Sequence, residues 1–140
     1  MERYMALDIG DNTIGVAVSD PLNITAQGIK TIQRVSYKKD FEDLNRIIDE
    51  FNVTVIVVGL PRKMDGTLGR QAEKVKQYVK KMCYNFKQEI IYQDERLTTT
   101  MAERMLIQGN VSRAKRKEVI DKLAAVNILT TFLEKGKNNE

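Results

Sequence analysis

The sequence contains no histidine. A chain without imidazole cannot use that group as general base, proton shuttle or metal ligand, so hydrolytic chemistry must rest on carboxylates, hydroxyls, amines or a thiol. Thiols are almost as scarce. Cys83 is the single cysteine, which excludes an internal disulfide framework. No apolar run approaches the length of a membrane span, and no segment has the layout of a signal peptide. These absences predict a reducing, cytoplasmic setting and no membrane partner. Internal repeats and low-complexity linkers are also missing, and 140 residues with 42% hydrophobic side chains suffice for one core. The expected organisation is a single domain over residues 1–135 with a flexible polar tail over 136–140. A net charge of +4 and an isoelectric point near 9.2 mildly favour a polyanionic partner.

Two short apolar runs, Tyr4 to Ile9 and Ile14 to Ser19, flank a Gly-Asp-Asn-Thr stretch of turn chemistry and predict a β-hairpin. A third strand is expected near Gly28 to Arg34. Phe41, Leu44, Ile47, Ile48 and Phe51 then recur at helical spacing behind a cap at Ser36 or Asp40. Val53 to Val58 is almost wholly β-branched, as in a strand covered on both faces within a parallel sheet, and Gly59-Leu60-Pro61 ends it. Ala72, Val75, Val79 and Met82 mark a second helix, and Glu89 to Tyr92 a short strand. A third helix is expected from about Thr100, which has capping-box spacing to Glu103, to Gln108-Gly109. A last helix covers roughly Ala114 to Glu134. This order predicts an α/β domain, a mixed sheet flanked by helices. Ligands of such sheets gather beyond the carboxyl ends of the parallel strands.

Three of those ends carry unusual residues. Asp8 interrupts the first apolar strand and precedes Gly10, whose missing side chain would admit a substrate backbone; a buried aspartate capping the turn is the alternative. Beyond the Val53 to Val58 strand, the loop through Met64-Asp65-Gly66-Thr67 can aim backbone N–H groups and Arg62, Lys63 and Arg70 at phosphates, or serve as an ordinary strand-to-helix turn. After the last strand, Asp94 and Glu95 stand side by side. Neighbouring strand residues point to opposite sides, so one of them faces Asp8, and Glu95 is the candidate. The alternative is the usual acidic preference of a helix start. Asp121 lies among Ile120, Leu123, Ala124 and Val126 on the last helix, where a charge beside an apolar stripe is ordinarily solvated at its edge. Cys83, Met101 and Met105 are expected in or near the core.

Taken together, the candidates carry more than any one of them. Carboxylates gathered at one place repel one another unless cations neutralise them, and hard divalent cations with oxygen ligands do so. A pair of such ions can activate water and stabilise a leaving oxygen in phosphodiester hydrolysis without any histidine. Arg113, Lys115, Arg116 and Lys117 cluster at the start of the last helix, against the macrodipole, where a phosphate contact is the functional reading and a solvated charge run the plain one.

The stretches LDIGDNTIGVAVSD, VGLPRKMDGT, DERLTTTMAERML and DKLAAVNIL, in this order over nearly the whole chain, resemble the successive motifs of the YqgF family of pre-16S rRNA nucleases, which are related to Holliday junction resolvases. The resemblance implies a ribonuclease H-like fold, with three antiparallel strands and two added parallel ones in a five-stranded sheet. It implies a cytoplasmic, Mg²⁺- or Mn²⁺-dependent hydrolase that acts in maturing the 5′ end of small-subunit rRNA. Carried over by position, the site residues are Asp8, Glu95 and Asp121 as metal ligands and catalytic groups. Arg62, Lys63, Arg70, Arg96, Arg113, Lys115, Arg116 and Lys117 become the expected nucleic-acid contacts of a monomer or homodimer. Members commonly carry a lysine or arginine in the turn after the first aspartate, where this chain has Asp11, Asn12 and Thr13. Asp11 is left open between assisting metal binding and weakening substrate binding. Three other readings compete: a branched-DNA nuclease, a non-catalytic RNA-binding module for ribosome assembly, and an actin-like ATPase. The Asp-x-Gly hairpin resembles the first phosphate motif of the last class, but the chain has the length of only one of its two domains.

Overall fold

The computed structural model describes residues 2–62, 68–95 and 113–138. Its elements are β1 (Tyr4–Ile9), β2 (Thr13–Ser19), β3 (Ala26–Gln33), α1 (Tyr37–Phe51), β4 (Val55–Pro61), α2 (Arg70–Asn85), β5 (Glu89–Glu95) and α3 (Arg113–Asn138). The five strands form one sheet in the order β3-β2-β1-β4-β5. β1, β2 and β3 pair antiparallel, and β4 and β5 are added parallel to β1. The mixed five-stranded sheet is the one expected of a ribonuclease H-like domain. The helix anticipated from Thr100, with Met101 and Met105, lies outside the described residues.

Strand alternation divides the core in two. Met5, Leu7 and Ile9 of β1 join Ile14, Val16 and Val18 of β2 and Ile56, Val58 and Leu60 of β4 on the face covered by α1 and α2. The alternate positions are small: Ala6, Ala17 and Val57 meet Ala125, Ile128 and Leu129 of α3. Small residues on the sheet let α3 lie close. A Cβ on Gly28 would already stand 3.1 Å from Cγ of Lys122. The β-branched run of β4 is buried because sheet neighbours flank it on both sides and helices cover both faces.

Local chemistry sets the element ends. Ser36, not Asp40, caps α1: its hydroxyl accepts from the Lys39 amide at 3.2 Å. Asn52 closes that helix at φ 54°, a left-handed conformation that asparagine tolerates better than most residues. Asp40 is buried instead, with 2% of its surface exposed. Cys83, expected in or near the core, is exposed, because it falls one position past the inward stripe that ends at Met82. The last helix runs to Asn138, beyond the stop expected near Glu134. β5 extends to Glu95 rather than ending at Tyr92, since its backbone stays paired with β4 as far as Pro61 even where its side chains turn polar. Among the described residues, no helix is long and apolar enough to cross a membrane.

The turn between β2 and β3 is organised by Asp20. Its carboxylate accepts from the amides of Leu22, Ile24 and Thr25 at 3.1, 2.7 and 2.6 Å. The Thr25 amide is the largest of the influences that together hold this carboxyl below the usual aspartate range. A depressed native pKa stabilises the fold above the unfolded pKa of about 4, and the contribution is lost as pH falls through the native value. Asp20→Asn is therefore expected to lower the melting temperature at pH 7, with a loss that shrinks as pH falls below about 4, which calorimetry across that range measures.

Candidate active site

Asp8 lies one residue from the carboxyl end of β1 and is directly opposed to Gly15 of β2. Opposed residues of an antiparallel pair share a face, and here it is the face under α3. A Cβ on Gly15 would stand 1.9 Å from the Asp121 carbonyl oxygen and 2.5 Å from its carbon. The helix backbone thus rests on the bare glycine. That contact brings Asp121 to the layer in which the half-buried Asp8 stands. Asp121 is half-buried too, and the Thr13 hydroxyl donates to its Oδ2 at 2.5 Å. The plain expectation of a solvated edge charge does not hold.

The turn between β1 and β2 serves this arrangement. The Gly10 amide donates to the Thr13 carbonyl at 2.8 Å, which fixes where Thr13 begins its strand. A Cβ on Gly10 would stand 3.2 Å from that same carbonyl oxygen, so the glycine answers to the tightness of the turn. Asp11 is exposed, and its Oδ1 lies 3.3 Å from Nζ of Lys74 on α2. Thr13 and Arg34, which contacts this turn, were not singled out from the sequence. The signal for Thr13 was there: Thr13, Gly15 and Ala17 alternate with Ile14, Val16 and Val18, a small-and-polar face against a large apolar one.

The strand register separates the two acidic residues of β5. Asp94 pairs with Leu60, whose side chain belongs to the core under α1 and α2, and its Oδ1 lies 2.8 Å from Nε of Arg62. Glu95 pairs with Pro61, one residue out of phase. Position 95 therefore shares its face of the sheet with Gln93, Ile91 and Val57, which is the α3 face. The side chain of Glu95 is outside the described residues. Among the described residues, no three histidine, cysteine or acidic side chains are grouped to hold a metal. Two carboxylates meet the donor chemistry of a hard cation, since magnesium takes one or two carboxylates and completes its shell with water and phosphate.

Of the expected phosphate contacts, Arg62 is ion-paired to Asp94, and Arg70 is exposed at the first position of α2. Lys63 and Arg96 lie outside the described residues, as do the side chains of Arg113, Lys115, Arg116 and Lys117 at the start of α3. A separate open cleft of about 490 Å³, lined by Ile48, Asn52, Lys87 and Glu89 among others, opens at the amino ends of β4 and β5 and holds none of the candidates.

A mixed sheet of this order, three antiparallel strands with two more added parallel to the first, is that of a ribonuclease H-like domain. Residues 2–135 match the family model described as "RuvX: Holliday junction resolvase", and the chain belongs to that family, whose members are nucleases, hydrolases of phosphodiester bonds. Among curated relatives it is 56% identical over 137 residues to a protein of Thermoanaerobacter pseudethanolicus, covering 97% of this chain and 99% of that one. It is 54% identical over 132 residues to one of Clostridioides difficile, covering 94% of each. Both carry the name "Putative pre-16S rRNA nuclease". Its fold is similar to that of T. thermophilus RuvC in complex with a Holliday junction substrate, with TM-score 0.56, 13% identity and 98% and 96% of the two chains covered. The fowlpox virus resolvase in complex with Holliday junction DNA follows, with TM-score 0.53, 14% identity and 95% and 97% covered.

Proposed function

We propose that this protein is a cytoplasmic, divalent-metal-dependent nuclease of RNA that acts on the 5′ end of pre-16S rRNA, with Asp8, Glu95 and Asp121 as its metal-holding, catalytic carboxylates. The observation that carries the reading is the seat of Asp121 on Gly15, directly across the strand pair from Asp8. Bound Mg²⁺ or Mn²⁺ would supply an activated water and charge stabilisation on the leaving oxygen. The chain's own part is to hold oxygen ligands at a partly solvent-reachable place. Asp8 is held by the β1–β2 ladder, and Asp121 by the Thr13 hydroxyl and the helix–glycine contact. Glu95, in phase with that face, is the third ligand. Asp94 is out of phase and already has a cation at 2.8 Å, so it has no place in the ligand set. Asp11, matched with Lys74, is likewise left outside it.

The choice of RNA rests on the names of relatives that match the chain almost end to end. The family description supports a second reading, cleavage of branched DNA by the same carboxylates. Purified protein is expected to cut RNA spanning the immature 5′ end of 16S rRNA with Mg²⁺ or Mn²⁺, and to stop cutting when EDTA is added. Gel analysis of that RNA beside a four-way DNA junction separates the readings. Cutting of the junction alone would reverse the substrate assignment, and binding without cutting under every metal would leave a non-catalytic RNA-binding module.

A further inference from the structure

The turn that joins Asp8 to Thr13 is held from the opposite layer of the molecule. Nη1 of Arg34, just after β3, donates to the Gly10 carbonyl at 2.6 Å, and the Arg34 amide donates to the Asn12 carbonyl at 2.9 Å. The guanidinium lies 4.6 Å from the centroid of the Tyr78 ring on α2, and its Nε is 3.9 Å from Oδ2 of the buried Asp40. Asp40 is fixed in turn: the Tyr78 hydroxyl donates to Oδ2 and the Val35 amide to Oδ1, both at 3.1 Å. Burial foremost, and then Asp40, pushes the Tyr78 phenol far above its ordinary value, so it remains a donor throughout the neutral range.

A buried carboxylate in an apolar layer is costly unless hydrogen-bonded, and Asp40 accepts from both Tyr78 and the Val35 amide. The side chains of this network reach the turn at the Gly10 carbonyl. From Gly10 the connection continues, the Gly10 amide to the Thr13 carbonyl and the Thr13 hydroxyl to Asp121. Resting on the carboxylate site proposed above, we infer that Arg34 is its positioning residue, braced by Asp40 and Tyr78, and that it sets the turn from which Asp8 and Asp121 take their relative places. Arginine is required because one planar group must stack on a ring and donate to a carbonyl in a fixed direction, which an ammonium cannot do.

The test compares Arg34→Gln, Arg34→Lys and Tyr78→Phe with wild type in three measurements: amide hydrogen exchange at Gly10 in metal-free protein, Mn²⁺ binding by calorimetry, and steady-state cleavage. Arg34→Gln is expected to speed exchange at Gly10, to weaken Mn²⁺ binding and to lower kcat, the last two by about ten- to hundredfold as for other supports behind metal ligands, with KM held within about twofold. Arg34→Lys is expected to rescue little. Tyr78→Phe keeps the ring and removes one hydrogen bond, so it should lose about three- to tenfold in kcat and stand in for Arg34→Gln if that variant fails to fold. Faster exchange with unchanged kcat and Mn²⁺ affinity would make the network purely structural, and a raised KM at unchanged kcat would make Arg34 a substrate contact; either overturns the proposal. Wild-type protein that neither cuts nor binds Mn²⁺ would instead refute the nuclease reading of the carboxylates, and exchange at Gly10 would still decide whether Arg34 holds the turn.

Discussion

Gly15→Ala is expected to be among the most damaging single-methyl substitutions in the chain. The added carbon would stand 1.9 Å from a main-chain oxygen of α3, and a helix backbone cannot rotate away as a side chain can. Either α3 lifts from the sheet or the β1–β2 hairpin bends. Overpacking of a well-filled interior costs about 1–3 kcal/mol, occasionally more, and a clash with backbone on both sides belongs at the top of that range, about 3 kcal/mol. Lifting α3 would also separate Ala125, Ile128 and Leu129 from Ala6, Ala17 and Val57. Urea unfolding should show the loss directly. Since the same contact seats Asp121, any folded fraction should lose cleavage out of proportion to its stability. Gly28→Ala is the control on the same face: its new carbon would meet side chains and no backbone, Lys122 at 3.1 Å and Cγ2 of Val126 at 3.4 Å, and the flexible Lys122 side chain can move. It should cost less than about 1 kcal/mol. Equal stability losses in the two variants would mean that α3 does not rest on Gly15 as described.

The contrast between these glycines shows where sequence reading stops. The hairpin, the buried strand and the first two helices are legible because alternation of apolar residues at period two or at helical spacing is a property of neighbours in sequence. The mixed sheet follows from their order, and the family from motifs spread along the whole chain. What Gly15 does is not local. It depends on a helix more than a hundred residues away, and nothing in Ile14-Gly15-Val16 announces that partner. Asp121 illustrates the same limit: beside an apolar stripe it reads as a solvated edge charge, and only the Thr13 hydroxyl, from a strand far away in sequence, makes it a held carboxylate. Cys83 reads as a core or near-core residue, yet it is exposed because the inward stripe of α2 ends one residue before it. β5 and α3 run past the ends that side-chain pattern predicts, because a backbone ladder and a helix both continue beyond the point where side chains turn polar.

The continuation of β5 to Glu95 puts positions 94 and 95 in opposite phase on the sheet. Had the strand ended at Tyr92, Asp94 and Glu95 would stand in a loop and either could turn toward Asp8. Within a strand, phase decides. Asp8→Asn and Glu95→Gln are each expected to lower kcat by at least about a hundredfold, since removing a ligand should exceed the ten- to hundredfold loss typical of the groups behind it. Asp94→Asn, which breaks only a partly exposed pair with Arg62, should stay within about threefold, because such pairs contribute about 0–1 kcal/mol. Stability should move the other way. Acidic groups gathered without a cation repel one another, so neutralising one by an isosteric amide should leave the melting temperature of metal-free protein unchanged or raise it. Mg²⁺ should raise the wild-type melting temperature and not that of Asp8→Asn, since a ligand that binds only the folded state stabilises it by mass action. A hundredfold loss in Asp94→Asn with normal activity in Glu95→Gln would reverse the assignment of the third carboxylate, and it would also mean that the phase of β5 is shifted by one residue.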